Sequence, residues 1–182
     1  RRCLQEQGLP DVVVANAGFS VGMDTAERED LDVMRDTLAV NLLGVAATFH
    51  PFLAPMRERR RGTLVGIASV AGIRGLPGSE AYCASKAATI SYCESLRVEL
   101  KRYGVRVVTI APGFVRTPLT ARNPYKMPFL MEPDAAAERL VRGLVRGRFE
   151  ITFPRRFTWL LKVLRCLPYA LYFPLVRKLD EG

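Results

Sequence analysis

Three short apolar runs restrict what this chain can become more than any other feature: "DVVVANAG" (11–18), "GTLVGIASVAG" (62–72) and "VRVVTIAPG" (105–113). In each, β-branched and small residues follow one another with little polar alternation. A strand with one wet face alternates apolar and polar side chains, so these runs read as strands covered on both faces, as in a parallel sheet. Helical stretches separate them, and no tight-hairpin signal occurs between them. A fourth run, "RFEITFP" (148–154), follows the helical pattern "DAAAERLVRG". Strand and helix thus alternate, and the expected fold class is α/β, a Rossmann-like doubly wound parallel sheet of about four strands.

The intervening segments carry their own signals. Acidic residues crowd "DTAEREDLDVMRD" and lead into "TLAVNLLGVAATFHPFLAPM", an order that suits the helix dipole. Pro51 and Pro55 are expected to kink or shorten that helix near its end. The arginine run Arg59–Arg61 reads as a solvated helix end. Ser79 is the expected N-cap of a helix from about Glu80 to Tyr103, with Gly104 as its stop. Residues 118–132 read as a loop or broken helix, and Pro133 as the first turn of the next helix. "RRCLQEQG" reads as the tail of a helix closed by Gly8. The first strand has no earlier strand to pair with, although in a doubly wound sheet the strand after the crossover lies beside the first one of the domain. The expectation is that these 182 residues are the second half of a larger domain.

At 182 residues and 49% apolar, the chain can form one core and not clearly two. The division expected is a partial α/β domain over 1–154 and a helical extension over 155–182. Net charge is +9, unevenly placed: residues 139–182 carry 10 basic and 3 acidic groups, whereas residues 1–60 carry 7 and 9. A uniformly basic nucleic-acid reader would differ, and no nucleic-acid partner is expected. Cys3, Cys83, Cys93 and Cys166 show no CxxC, and His50 is the sole histidine. No metal site is expected, and the cysteines read as reduced thiols of a cytoplasmic protein. His50 reads as a packing or helix-end residue. No segment reads as membrane-spanning; "CLPYALYFPLV" covers 11 residues with two prolines.

Ligands of open α/β sheets bind beyond the carboxyl ends of the strands. Asn16-Ala17-Gly18 ends the first strand, Ser69 the second and Pro112-Gly113 the third. Tyr82 and Lys86 fall one turn apart on one face of the helix after the second strand. Six tyrosines give less than one such Tyr–Lys pair by chance at this composition, so the pair gains meaning only from its companions. Together, "NAG", "VNLLG", "GIASVAG", "YCASK" and "PGFVRTP" span most of the chain and resemble the short-chain dehydrogenase/reductase family. The resemblance implies a catalytic set of Ser69, Tyr82, Lys86 and Asn41, with NAD or NADP as cofactor. The basic balance slightly favours NADP.

The chemistry gives each residue type a reason. A carbonyl reduced to an alcohol needs a proton at its oxygen, and a free tyrosine has a pKa of about 10, too high to give a useful phenolate near neutrality. A neighbouring ammonium favours the phenolate and brings its acidity toward the operating pH. Ser69 can hydrogen-bond the substrate oxygen. By resemblance, Lys86 also holds the nicotinamide ribose and Asn41 supports a proton relay. Asn16, Ala17 and Gly18 would line the cofactor cleft, with Pro112, Gly113, Val115 and Thr117 meeting the nicotinamide. The family's Gly-rich G-x-x-x-G-x-G turn is not in this sequence. The implied partner is a small carbonyl or alcohol substrate, with homo-oligomers expected by resemblance. The other reading is a truncated, non-catalytic chain acting at most as an interaction or membrane-surface module.

Residues 155–179 hold Phe157, Leu160, Leu161, Leu164 and Leu167 at helical spacing with basic flanks, an amphipathic helix. Two readings stay open: a helix packed on its own domain or a partner subunit, or peripheral contact with a membrane and a lipid-like substrate. The apolar stretch Met127–Met131 points to an apolar substrate.

Overall fold

The computed structural model describes residues 2–122 and 127–180. Of the expected loop 118–132, residues 123–126 lie outside these, as do residues 181–182 of the tail. Four strands, β1 (Val12–Ala15), β2 (Gly62–Ile67), β3 (Val105–Pro112) and β4 (Glu150–Phe153), form one sheet in sequence order, every pair parallel. The registers Val13 opposite Leu64, Leu64 opposite Val107, and Ile110 opposite Ile151 set the four carboxyl ends along one edge of the sheet.

Helices cover both faces, because successive strand residues point to opposite sides. Leu64 and Val107 face α3 (Gly44–Arg59) and α4 (Glu80–Lys101), whose Val45, Phe49, Met56, Cys93, Leu96 and Leu100 complete that core. Their neighbours Val65 and Val108 face the other way, toward Ala136 of α5 (Pro133–Val145). A short α1 (Arg2–Glu6) precedes the sheet. Gly104, at φ +71°, turns the chain from α4 into β3, a conformation that costs other residues a steric penalty.

Several expectations change in detail. In β1 only Val13 and Ala15 are buried, whereas Val12 and Val14 are 47% and 45% exposed. The reason is position: β1 is the sheet's edge, and its second face meets no helix among the described residues. Pro51 and Pro55 both lie inside α3, which runs on to Arg59; the burial of Phe49 and Met56 on either side holds the helix through them. Ser79 occupies the N-cap position of α4 but makes no side-chain cap bond. Instead Glu80 accepts from the Gly78 N–H. Helix α4 stops at Lys101. The helical stretch Asp30–Arg59, made of α2 (Asp30–Leu38), a π-turn (Ala39–Leu43) and α3, is long and apolar enough to cross a membrane by length and composition. Its α3 part lies on the sheet core instead.

The tail is two helices, α6 (Arg155–Cys166) and α7 (Tyr169–Asp180), with Leu167 in extended backbone between them. Extended backbone there follows from Pro168, which disfavours helical geometry in the residue before it. Phe157, Leu161 and Leu164 pack against Val70 and Ile73, as the spacing predicts. Leu160 does not, and is 55% exposed.

Candidate active site

The carboxyl end of β2 delivers Ser69, which opens a 3-10 turn (Val70–Gly72) and accepts a hydrogen bond at Oγ from the Ala71 N–H, 3.2 Å. That turn lies directly on α4. A Cβ on Gly72 would come within 2.7–2.8 Å of the Lys86 carbonyl carbon and the Ala87 nitrogen, so only glycine lets the two backbones approach this closely. The contact sets the spacing between Ser69 and the α4 residues Tyr82 and Lys86.

Lys86 is 3% exposed. Its ammonium donates to the Ile67 carbonyl at 2.9 Å and sits 5.7 Å from the centre of the Tyr82 ring. Burial lowers its pKa from 10.5 to about 8, because a charge removed from water is disfavoured.

Asn41 sits at the centre of the π-turn and is fully buried. Its amide donates to the Phe19 carbonyl (2.9 Å) and to Ser85 Oγ (3.0 Å), and its Oδ1 accepts from the Phe19 N–H (3.0 Å). Ser85 Oγ donates in turn to the Tyr82 carbonyl at 2.8 Å. Thr89 Oγ1 lies 2.9 Å from both the Asn41 and the Ser85 carbonyl oxygens. A widened turn leaves carbonyls without α-helical partners, and Thr89 takes the one on Asn41. Gly18 packs in front: a Cβ there would lie 3.1 Å from Asn41 Oδ1 and 3.2 Å from Lys86 Nζ.

Two cavities meet at Ser69 and Tyr82. One, of about 400 Å³, is lined by Asn16, Gly18, Lys86, Pro112, Gly113, Val115 and Thr117, among others. The second, of about 280 Å³, has Leu76, Pro77, Phe114, Leu119, Phe157 and Leu161 in its wall. Of the residues singled out from sequence, Ala17 lines neither cavity, and Asn41 stands behind Gly18. Met127–Met131 lines neither. Met131 bridges Val115 and packs on the β3–β4 core, whereas Phe129 is largely exposed and its ring lies 6.2 Å from that of Phe157 in the wall of the smaller cavity. Sequence reading missed Ser85, Phe19 and Thr120. The last donates to the Val115 carbonyl at 2.6 Å and holds the segment after β3.

The family model for short chain dehydrogenases matches residues 1–127. The chain belongs to the short-chain dehydrogenase family. A relative from Myxococcus xanthus, named an uncharacterized oxidoreductase, is 45% identical over 174 residues, which are 96% of this chain and 68% of that protein. Rat estradiol 17-beta-dehydrogenase 1 is 41% identical over 117 residues, 64% of this chain and 33% of the rat protein. The solved alcohol dehydrogenase of the archaeon Thermococcus sibiricus, complexed with 5-hydroxy-NADP, superimposes with a TM-score of 0.70 at 28% identity, covering 84% of this chain and 66% of that one. This short-chain dehydrogenase chain therefore spans from about a third to about two thirds of the proteins it resembles.

Proposed function

We propose that this chain carries the chemistry half of an NAD(P)-dependent oxidoreductase that interconverts an alcohol with a ketone or aldehyde. The observation that carries the reading is the buried Lys86 ammonium beside Tyr82, at the junction of two cavities. Tyr82 is the acid and base, handing its phenolic proton to the substrate oxygen in one direction and removing it in the other. Lys86 favours the phenolate by its charge, and with a pKa of about 8 it is mostly protonated at neutral pH. Ser69 Oγ orients the substrate oxygen by a hydrogen bond. Asn41 has both amide hydrogens committed to Phe19 and Ser85 and its backbone carbonyl oxygen accepts from Thr89, so it works by position.

The larger cavity fits the nicotinamide end of such a cofactor. Gly18 leaves its floor low, and Gly113 and Thr117 offer backbone and hydroxyl groups to a ring amide. When bound, the cofactor supplies or accepts the hydride. The Thermococcus relative's NADP analogue supports this assignment. The smaller cavity, walled by Leu76, Phe114, Leu119 and Phe157, suits an apolar substrate. The rat relative, named for estradiol, agrees with that class.

Replacing Tyr82→Phe tests the reading. In the full-length protein, turnover of an aliphatic or aromatic ketone panel with NADH or NADPH should fall at least about a hundredfold, with an unchanged circular dichroism spectrum. Turnover within a few-fold of the parent would remove Tyr82 from its role. Titration with both nucleotides, read by quenching of intrinsic fluorescence, measures the cofactor assignment separately.

A further inference from the structure

Helix α6 is apolar on two faces. The inner one carries Phe157 and Leu161 into the cavity wall. The outer one presents Trp159, Leu160 and Val163, exposed by 64%, 55% and 56%, at the i, i+1, i+4 positions of one helical face. Next to this face lies a groove of about 420 Å³ between α5, β4 and α6, lined by Arg139, Arg142, Arg146, Arg148, Arg155 and Lys162, with Trp159 in the same wall. One carboxylate, Glu150, lines it too and is paired with Lys162. Arg142 meets Glu138 at 3.7 Å. Arg139, Arg146, Arg148 and Arg155 have no ion pair among the described residues.

We infer that the α5–β4–α6 groove and the outer face of α6 form a docking surface for an anionic phospholipid bilayer. Two independent features converge on Trp159. Unpaired cations attract a negatively charged surface, and an aliphatic-aromatic face beside them can enter the acyl boundary. A second copy of this chain is a poor occupant, since a symmetric contact would set these arginines against themselves. A nucleic acid would satisfy the cations and leave Leu160 and Val163 in water. The surface also lies at the β4 side of the sheet, opposite the open edge of β1. Docking would hold the apolar cavity within one helix diameter, about 10 Å, of the lipid.

Trp159 is the single tryptophan of these 182 residues and reports on the proposal directly. The protein is mixed with vesicles of phosphatidylcholine alone, or with phosphatidylglycerol added, and with a Trp159→Phe variant as the spectral blank. With anionic vesicles, Trp159 emission should shift to the blue and be quenched by brominated acyl chains. Binding should weaken at least about tenfold in R139E/R146E and when salt is raised to about 0.5 M. The variant L160S should lose the quenching while keeping its fold by circular dichroism. Absence of any spectral change with a folded protein overturns the proposal. So does binding of soluble pyrophosphate without vesicle binding, which would make the groove a free-anion site. A Trp159 shift that follows protein concentration alone, with a matching rise in sedimentation coefficient, would assign the face to self-association instead. The readouts involve no turnover, so failure here leaves the oxidoreductase reading standing, and the reverse holds too.

Discussion

Lys86 is the residue at which function and stability pull in opposite directions. Its buried ammonium is what the proposed chemistry needs, and burial is what lowers its pKa to about 8. The unfolded chain holds this proton up to about pH 10.5, so between about pH 8 and 10.5 the unfolded state binds more protons and stability rises with pH. Below pH 8 the cost of burying the charge is present in full, on the order of 3 kcal/mol. Denaturant titrations across this window should therefore show a pH slope in the parent that Lys86→Met lacks, with Lys86→Met no less stable at neutral pH. Equal slopes in both would disprove the burial argument. The placement of Ser69 at a strand end and of Tyr82 and Lys86 on one helix face was legible in the sequence from element ends and helical spacing; the roles proposed for them came only from the family resemblance. Ser85 and Phe19 were not legible. Their importance comes from hydrogen bonds to Asn41 across 44 and 22 positions, and no local pattern encodes those.

Elements were legible where periodicity is strong and less so where packing overrides local preference. The four strands, α4 and α5 follow from runs, caps and breakers. The unbroken α3 does not, because its two prolines argue against it and the burial of Val45, Phe49 and Met56, with Phe52 and Leu53 packed beside them, holds it together. The 3-10 turn after β2 shows how tightly the elements are spaced. Gly72→Ala must push this turn off α4, where backbone atoms stand 2.7–2.8 Å from the new methyl. We expect a loss of about 1–3 kcal/mol together with a fall in turnover, as Ser69 moves relative to Tyr82. Gly75→Ala is the control, since its Cβ would meet nothing within 4 Å. Thermal melts and initial rates on both variants check this, and equal behaviour would refute it.

At the scale of the molecule, the parallel sheet and the convergence of strand ends followed from sequence, whereas the order of the strands and the placement of the tail did not. Periodicity selects a set of apolar positions but not which of two apolar faces turns inward, and α6 has two. The tail is fastened by specific bonds: Tyr172 Oη donates to the Gly75 carbonyl at 2.7 Å, Arg165 donates to the Ile73 carbonyl at 2.8 Å, and Arg74 lies over the Tyr172 ring. All three close on the segment between Ser69 and Tyr82 that supplies Leu76 and Pro77 to the apolar cavity. Tyr172→Phe should lose about 1 kcal/mol, speed amide exchange in 73–79 and α7, and raise KM with little change in kcat. A change in kcat alone, with exchange unaltered, would contradict the fastening role.

The π-turn at Ala39–Leu43 has a consequence for how this chain tolerates change in length. Its extra residue offsets α3 from α2 by about 100° of helical rotation, so the two helices keep separate phases although they read as one continuous stretch. Deleting any one of the five residues would yield a more regular helix, with one more ordinary hydrogen bond. It would also swing either Asn41 away from Gly18 or Val45, Phe49 and Met56 away from the sheet. Substitutions in this stretch can be graded by size and polarity; a one-residue deletion is all or nothing.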